Sequence, residues 1–201
     1  MKLRFAAGSP FVRKVTVTAI ETGLDGRIER VPTDFADPTD GLARDNPLGR
    51  VPTLITDDGK PMIESSVICA WLDGQHDGAK LIPKQPEARR NALWLEALAD
   101  GMTESAIAVQ RERARPAEKY WEDWESRNWA KVERTLDAID SNAALLNGEL
   151  TIGQIALGCG LDWILLRLPD KLEGWEERWP AVAAWYQAFS QRPSMQATGP
   201  K

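Results

Sequence analysis

Few residues in this 201-residue chain are of the types that carry covalent or metal chemistry. There is one histidine, His76. It argues against a histidine-based triad and a multi-histidine metal site, and its place predicts a surface residue at a helix end. Cys69 and Cys159 form neither a CxxC pair nor a metal-ligand spacing, so no metal site is predicted. Their apolar neighbours predict small buried hydrophobes in a reducing cytoplasm. A more informative stretch is GRVPTLIT, 49–56. Its β-branched run reads as a strand. Pro52 at the head of that strand cannot donate a ladder hydrogen bond, which leaves bare backbone beside it. Ser9 is a second candidate, in a Gly8-Ser9-Pro10 turn that opens a helix.

Composition narrows the classes further. The chain is 43% hydrophobic and 27% charged, as in a globular protein, with a net charge of -5 that gives nucleic acid or an anionic membrane nothing to attract. No run is long enough to span a membrane, and the apolar stretch at the N-terminus is too short for a signal peptide. Among nine tryptophans, Trp121, Trp124 and Trp129 recur near helical spacing and predict core or helix–helix packing.

The elements that must position these residues fall into two kinds. A strand is predicted at 3–6, then the Ser9 turn and a helix at 11–22 with Val12, Val15, Ala19 and Ile20 on its apolar face and Gly23 ending it. A second strand follows at 28–32. A loop-rich stretch, 33–50, contains Pro38, Gly41, Pro47 and Gly49. Strands at 52–56 and 60–63 flank the turn Asp57-Asp58-Gly59, and a helix covers 65–74. The order β-α-β, then β-β-α, is a mixed α/β unit. Beyond Pro83 and Pro86 strand patterns vanish. Helices are predicted at 87–113, bending at Gly101, at 117–146, ending at Asn147-Gly148, at 151–168 and at 178–191. Domains of 1–78 and 86–201 follow, with the linker at 75–86. Thr151 and Gln154 have capping-box spacing, with Leu150 and Ile155 as a hydrophobic staple. Gly158 and Gly160, inside an apolar helix, predict the close approach of another helix.

A βαβ-ββα unit with Ser9 at its first strand-to-helix turn, then NPLGRVPTL, ESSVICAWL and an all-helical half containing LTIGQIALGCGL, resembles a glutathione S-transferase over nearly the whole chain. GSPFVRKV at 8–15 and EALADGM at 96–102 look most like the bacterial YibF-like branch. The resemblance implies a thioredoxin-like N-terminal domain and an all-α C-terminal domain. It implies glutathione as co-substrate with no tightly bound cofactor, a cytoplasmic homodimer, and a role in detoxification. It also implies a cis bond before Pro52, so that Val51 can pair with the ligand as an added strand; an ordinary proline at a strand start is the alternative.

The resemblance assigns roles residue by residue. Ser9 would donate to the glutathione thiolate beside the helix start at Phe11, or serve only as the helix cap. Arg50 would reach the glycine carboxylate, or be a solvated arginine. Ser65, at a helix N-terminus, would take the γ-glutamyl carboxylate while also capping, and Glu64 would suit the ammonium nearby. Asp100 would contact the partner protomer's glutathione across the twofold axis, or be a solvated residue. The electrophile would meet Thr103, Ile107, Gln110 and Arg111; Arg111, Arg113 and Arg115 would favour an acidic one, or form a solvated face. Isomerase, dehalogenase or peroxidase chemistry at the same site, or non-catalytic binding, are the alternatives to group transfer.

Overall fold

The computed structural model describes residues 1–37 and 39–199; Pro38 of the predicted loop lies outside them. Strands β1 (Lys2–Phe5), β2 (Glu29–Pro32), β3 (Thr53–Ile55) and β4 (Pro61–Ile63) form one sheet in the order β2-β1-β3-β4. β1 is parallel to β2, and β3 is antiparallel to both β1 and β4. With the helices between them this is the predicted β-α-β, β-β-α order, and the helices that follow complete the predicted class.

Helix α1 (Pro10–Glu21) buries Val12, Val15, Val17 and Ala19. It ends in a Schellman motif: Gly23 N–H donates to Ile20 O at 3.0 Å and Leu24 N–H to Ala19 O at 2.8 Å. Gly23 sits at φ 72°, which explains the glycine. A single helical turn, α2 (Leu42–Asp45), interrupts the predicted loop. Buried Arg4 of β1 fastens it, with Nη2 donating to Asp45 Oδ2 and to Asp40 O, both at 2.9 Å. Helix α3 (Ser65–Asp73) completes this half. Asp73 then accepts from the amides of Leu81 (2.8 Å) and Ile82 (3.1 Å), fixing the connecting segment. His76 lies just past the helix end but is half-buried rather than on the surface as predicted, 3.3 Å from Asp73 Oδ1.

The helical half comprises α4 (Pro86–Arg113), α5 (Glu122–Asp140), α6 (Ile152–Arg167), α7 (Trp175–Arg178), α8 (Pro180–Phe189) and α9 (Pro193–Ala197). α4 is continuous through Gly101, which is exposed. Three expectations need correction here. The predicted 117–146 helix is three pieces, α5 flanked by 3₁₀ turns. Trp121 N–H donates to Glu112 Oε1 at 2.8 Å, so the chain enters α5 only after that turn. The predicted 178–191 helix breaks at Trp179, held out of helical geometry by Pro180. Asp140 then caps α8, accepting from Ala181 N–H at 2.9 Å and Val182 N–H at 3.0 Å. Finally, only Trp129 of the three spaced tryptophans is core; Trp121 and Trp124 stack on each other, 6.1 Å apart, and are exposed.

α6 is buried on nearly every side. The capping box of Thr151 and Gln154 forms, with Thr151 N–H donating to Gln154 Oε1 at 3.0 Å. The glycines act as predicted. A Cβ on Gly158 would lie 2.5 Å from Phe189, and Gly160 packs on Thr103 of α4. Gly153 does the same in the first turn of α6, where a Cβ would stand 2.6 Å from Ala92 O of α4. No described helix is long and apolar enough to cross a membrane.

Candidate functional site

Sheet register brings three distant loops to one place. Arg4, near the end of β1, pairs with Thr53 at the start of β3, and Thr53 pairs with Ile63 at the end of β4. Ser9 follows β1, Val51-Pro52 precedes β3, and Glu64-Ser65 follows β4. All three therefore emerge at the same end of the sheet.

Ser9 is the N-cap of α1, and its Oγ accepts from Val12 N–H at 3.3 Å. A hydroxyl that accepts there keeps its own proton to donate elsewhere. Pro10 fills the first helical position, and the Phe11 amide lies in the first turn, where N–H groups have no intrahelical acceptor. The Ser9 turn is held from the helical half: Trp163 Nε1 of α6 donates to Gly8 O at 3.1 Å. The tryptophan lies 155 positions away, and its role had no local signature.

Val51-Pro52 is cis. The β1–β3 ladder begins at Thr53, so the Val51 main chain belongs to no strand pairing. Fully buried Asn46 organises the turn before it. Asn46 Nδ2 donates to Arg50 O at 2.8 Å and to Thr53 Oγ1 at 3.1 Å, while Asn46 Oδ1 accepts from Leu48 N–H at 2.9 Å. Sequence reading quoted Asn46 within NPLGRVPTL without singling it out. The Arg50 side chain is exposed and ion-pairs with no described residue.

Glu64 precedes α3 with φ 68°, the only described non-glycine residue at positive φ. Such a backbone costs on the order of 1–3 kcal/mol and marks a position fixed by its surroundings. It turns the chain so that Ser65, buried, opens α3. Unbonded amides in that first turn and the helix dipole favour an anion. Three features thus share one sheet end: a hydroxyl donor, a bare extended backbone and an anion-favouring helix start.

The predicted electrophile residues separate. Ile107 and Gln110 are half-buried on α4. Thr103 is corrected: it is buried, donates to Ala99 O at 2.8 Å and packs on Gly160, so it serves helix packing rather than a cleft. Arg111 is exposed at the C-terminal end of α4. Arg113 is bound to Glu125 and Asp170, and Arg115 to Glu112, so these charges are matched within the chain. Asp100 is not a free surface carboxylate: Lys14 Nζ of α1 donates to its Oδ2 at 2.6 Å. Burial pushes the thiols of Cys69 and Cys159 up to about 12, which removes both as nucleophiles. Clefts of about 570 Å³, between the 143–154 segment and α8, and about 420 Å³, beside Arg13 and Tyr186, include none of the three loops. The candidate site is the open sheet end.

Residues 8–75 match the family model "Glutathione S-transferase, N-terminal domain". Residues 109–188 match "Glutathione S-transferase, C-terminal domain". The chain is 30% identical to the uncharacterized GST-like protein YibF of Escherichia coli K12, with 100% of this chain and 98% of that one covered. It belongs to the glutathione S-transferase family. Among solved structures of the family, one from Pseudomonas fluorescens Pf-5 with bound glutathione has a TM-score of 0.94 and 39% identity, covering 100% of this chain and 98% of that one. Another, from Methylobacillus flagellatus KT with glutathione bound, has a TM-score of 0.92 and 34% identity, covering 100% and 99%. In this glutathione S-transferase family member, Asn46, Trp163 and Lys14 are the structural residues that sequence reading passed over. Each acts on a partner brought near by a turn or by the fold, which spacing in the sequence does not mark.

Proposed function

We propose that the chain binds glutathione at this sheet end and promotes attack of its thiol on an electrophile. The observation that carries the reading is the convergence of Ser9, Val51-Pro52 and Glu64-Ser65 through strand register. Glutathione is a tripeptide with two carboxylates, one ammonium and one thiol. The γ-glutamyl carboxylate takes the Ser65 hydroxyl and the α3 amides, and Glu64 takes the ammonium. The cysteinyl backbone pairs with Val51 beside Pro52, and Arg50 reaches the glycine carboxylate. Solved family structures with bound glutathione, at 39% and 34% identity, support this ligand.

The thiol then lies beside Ser9 and the Phe11 amide. At an ordinary pKa of about 8.5, roughly 3% of it is ionised at pH 7. The Ser9 hydroxyl and the α1 dipole favour the thiolate, and the proton leaves to solvent. The thiolate sulfur forms a bond to the electrophilic carbon, and the leaving group departs with the electron pair of its bond to that carbon. Ile107, Gln110 and Arg111 of α4 are the electrophile-facing residues of the proposal. The chain works as a homodimer in a reducing cytoplasm, in keeping with two free buried thiols.

Retention on immobilised glutathione, followed by turnover with a panel of electrophiles, tests the reading. Retention with turnover supports it. Retention without turnover reduces it to glutathione binding, and no retention overturns the site.

A further inference from the structure

Lys14 is almost wholly inaccessible at 1% side-chain exposure, yet it is charged. Its Nζ lies 2.7 Å from Glu96 Oε1 and 2.6 Å from Asp100 Oδ2, two carboxylates one turn apart on α4. Burial works against its charge, but Asp100 and Glu96 outweigh this and hold the ammonium protonated well above the ordinary lysine range. The three side chains join α1 to α4, the helices that carry Ser9 and the proposed electrophile face. α1 otherwise packs chiefly on α3 and α6.

α6 shows how the two helices run. Gly153 lies against Ala92 and Leu95, and Gly160 against Thr103, so α6 is parallel to α4. Gly8 bonds Trp163 and lies against Arg167, one turn further along α6, while Arg13 pairs with Asp162, so α1 runs the opposite way. From the Lys14 contact, Ser9 therefore lies in the same direction as Ile107. Five residues on α1 and seven on α4 correspond to rises of about 7.5 Å and about 10.5 Å. Ile107 is two turns from Asp100 and shares its helix face.

We propose that Lys14 is a positioning residue, which through Glu96 and Asp100 sets the distance between Ser9 and the α4 face that presents Ile107 and Gln110. The proposal rests on the transferase reading for its consequence in turnover, but the geometry is testable without it. The proposed glutathione contacts at Arg50, Val51 and Ser65 lie outside α1 and α4, the two helices this link joins. Loosening it moves the electrophile surface and leaves the tripeptide site in place.

Both native cysteines are buried, so spin labels go selectively to exposed Glu29→Cys and Glu104→Cys, with excess unlabelled chain to isolate distances within one protomer. Lys14→Met should shift or broaden the label distance by about 2 Å or more, and Lys14→Arg should restore it. With a turned-over electrophile, kcat/KM should fall about tenfold or more in Lys14→Met, as expected when reacting groups are misplaced by about 1 Å, while the glutathione Kd stays within about twofold. If Lys14→Met does not fold, the uncharged triple variant Lys14→Met, Glu96→Gln, Asp100→Asn is read for the same distance change. An unchanged distance overturns the proposal whatever the activity, as does equal loss of glutathione affinity and turnover. A changed distance in a chain that turns over no electrophile overturns the transferase reading and leaves the positioning role standing.

Discussion

Trp163 Nε1 donates to the carbonyl oxygen of Gly8 at 3.1 Å, joining α6 to the turn that presents Ser9. The helical half therefore holds the proposed hydroxyl donor by the residue before it. Trp163→Phe keeps an aromatic ring and removes the donor. The expected loss of stability is about 1 kcal/mol, the net worth of one such bond. Urea unfolding measures that, and steady-state kinetics should show a fall in turnover with glutathione affinity nearly unchanged. Equal turnover in the variant would make the bond purely structural.

Ser9 has two roles that one substitution separates. As N-cap it accepts from Val12 N–H, so Ser9→Ala should cost about 1 kcal/mol of stability. As donor to the thiolate, its loss should raise the pKa of bound glutathione and lower turnover about 10- to 1000-fold. Ultraviolet absorbance of the thiolate follows the titration directly. Coincident titrations with equal turnover would leave Ser9 a cap alone.

Recognition of the two carboxylates is assigned to opposite ends of the ligand. Arg50→Ala and Ser65→Ala should each weaken glutathione binding by about 1–3 kcal/mol, the range for a hydrogen bond to a charged group. Calorimetry on the two variants gives both values. Wild-type dissociation constants in both would remove the assigned site.

What was legible in the sequence was what neighbours dictate. Thr151 and Gln154 announced their capping box because both partners lie within one turn. Gly23 announced the end of α1, and Pro52 the bare backbone beside it. The cluster of Lys14 with Glu96 and Asp100 was not legible, since more than 80 positions separate partners that only the packing of α1 near α4 unites. Tryptophan spacing misled for a related reason. Trp121 and Trp124 have the period of a buried stripe, yet the chain enters α5 late and leaves them at its exposed start. Thr103 shares a helical face with Ile107 and Gln110, but Gly160 draws α6 onto it.

Glu125 predicts an acid limb in the stability profile. Burial tends to raise its pKa, but bonds from Arg113 (3.0 Å), Lys171 (2.8 Å) and Tyr120 (2.9 Å) prevail and hold it down to about 2. The unfolded chain binds that proton near the ordinary value of 4.5. The contribution is therefore complete above about pH 4.5 and is lost as pH falls toward about 2. Glu125→Gln should lower stability at neutral pH by about 1.5–3 kcal/mol and flatten this part of the profile. Urea midpoints at several pH values across that range test it, and parallel profiles for variant and wild type would refute it.

Helix α1 draws its partners from far along the chain. Glu21 accepts from Arg192 Nη2 at 2.9 Å, 171 positions away, and Arg13 donates to Met195 O at 3.1 Å, 182 positions away. A ribosome adding about 5–20 residues per second needs roughly 10–35 s to cover the first of these separations. Until that interval ends, the nascent α1 carries charged groups whose last partners have not yet been made. The proposed active-site turn is made among the first residues and secured among the later ones, so a nascent chain interrupted before residue 192 holds Ser9 on an unfinished support.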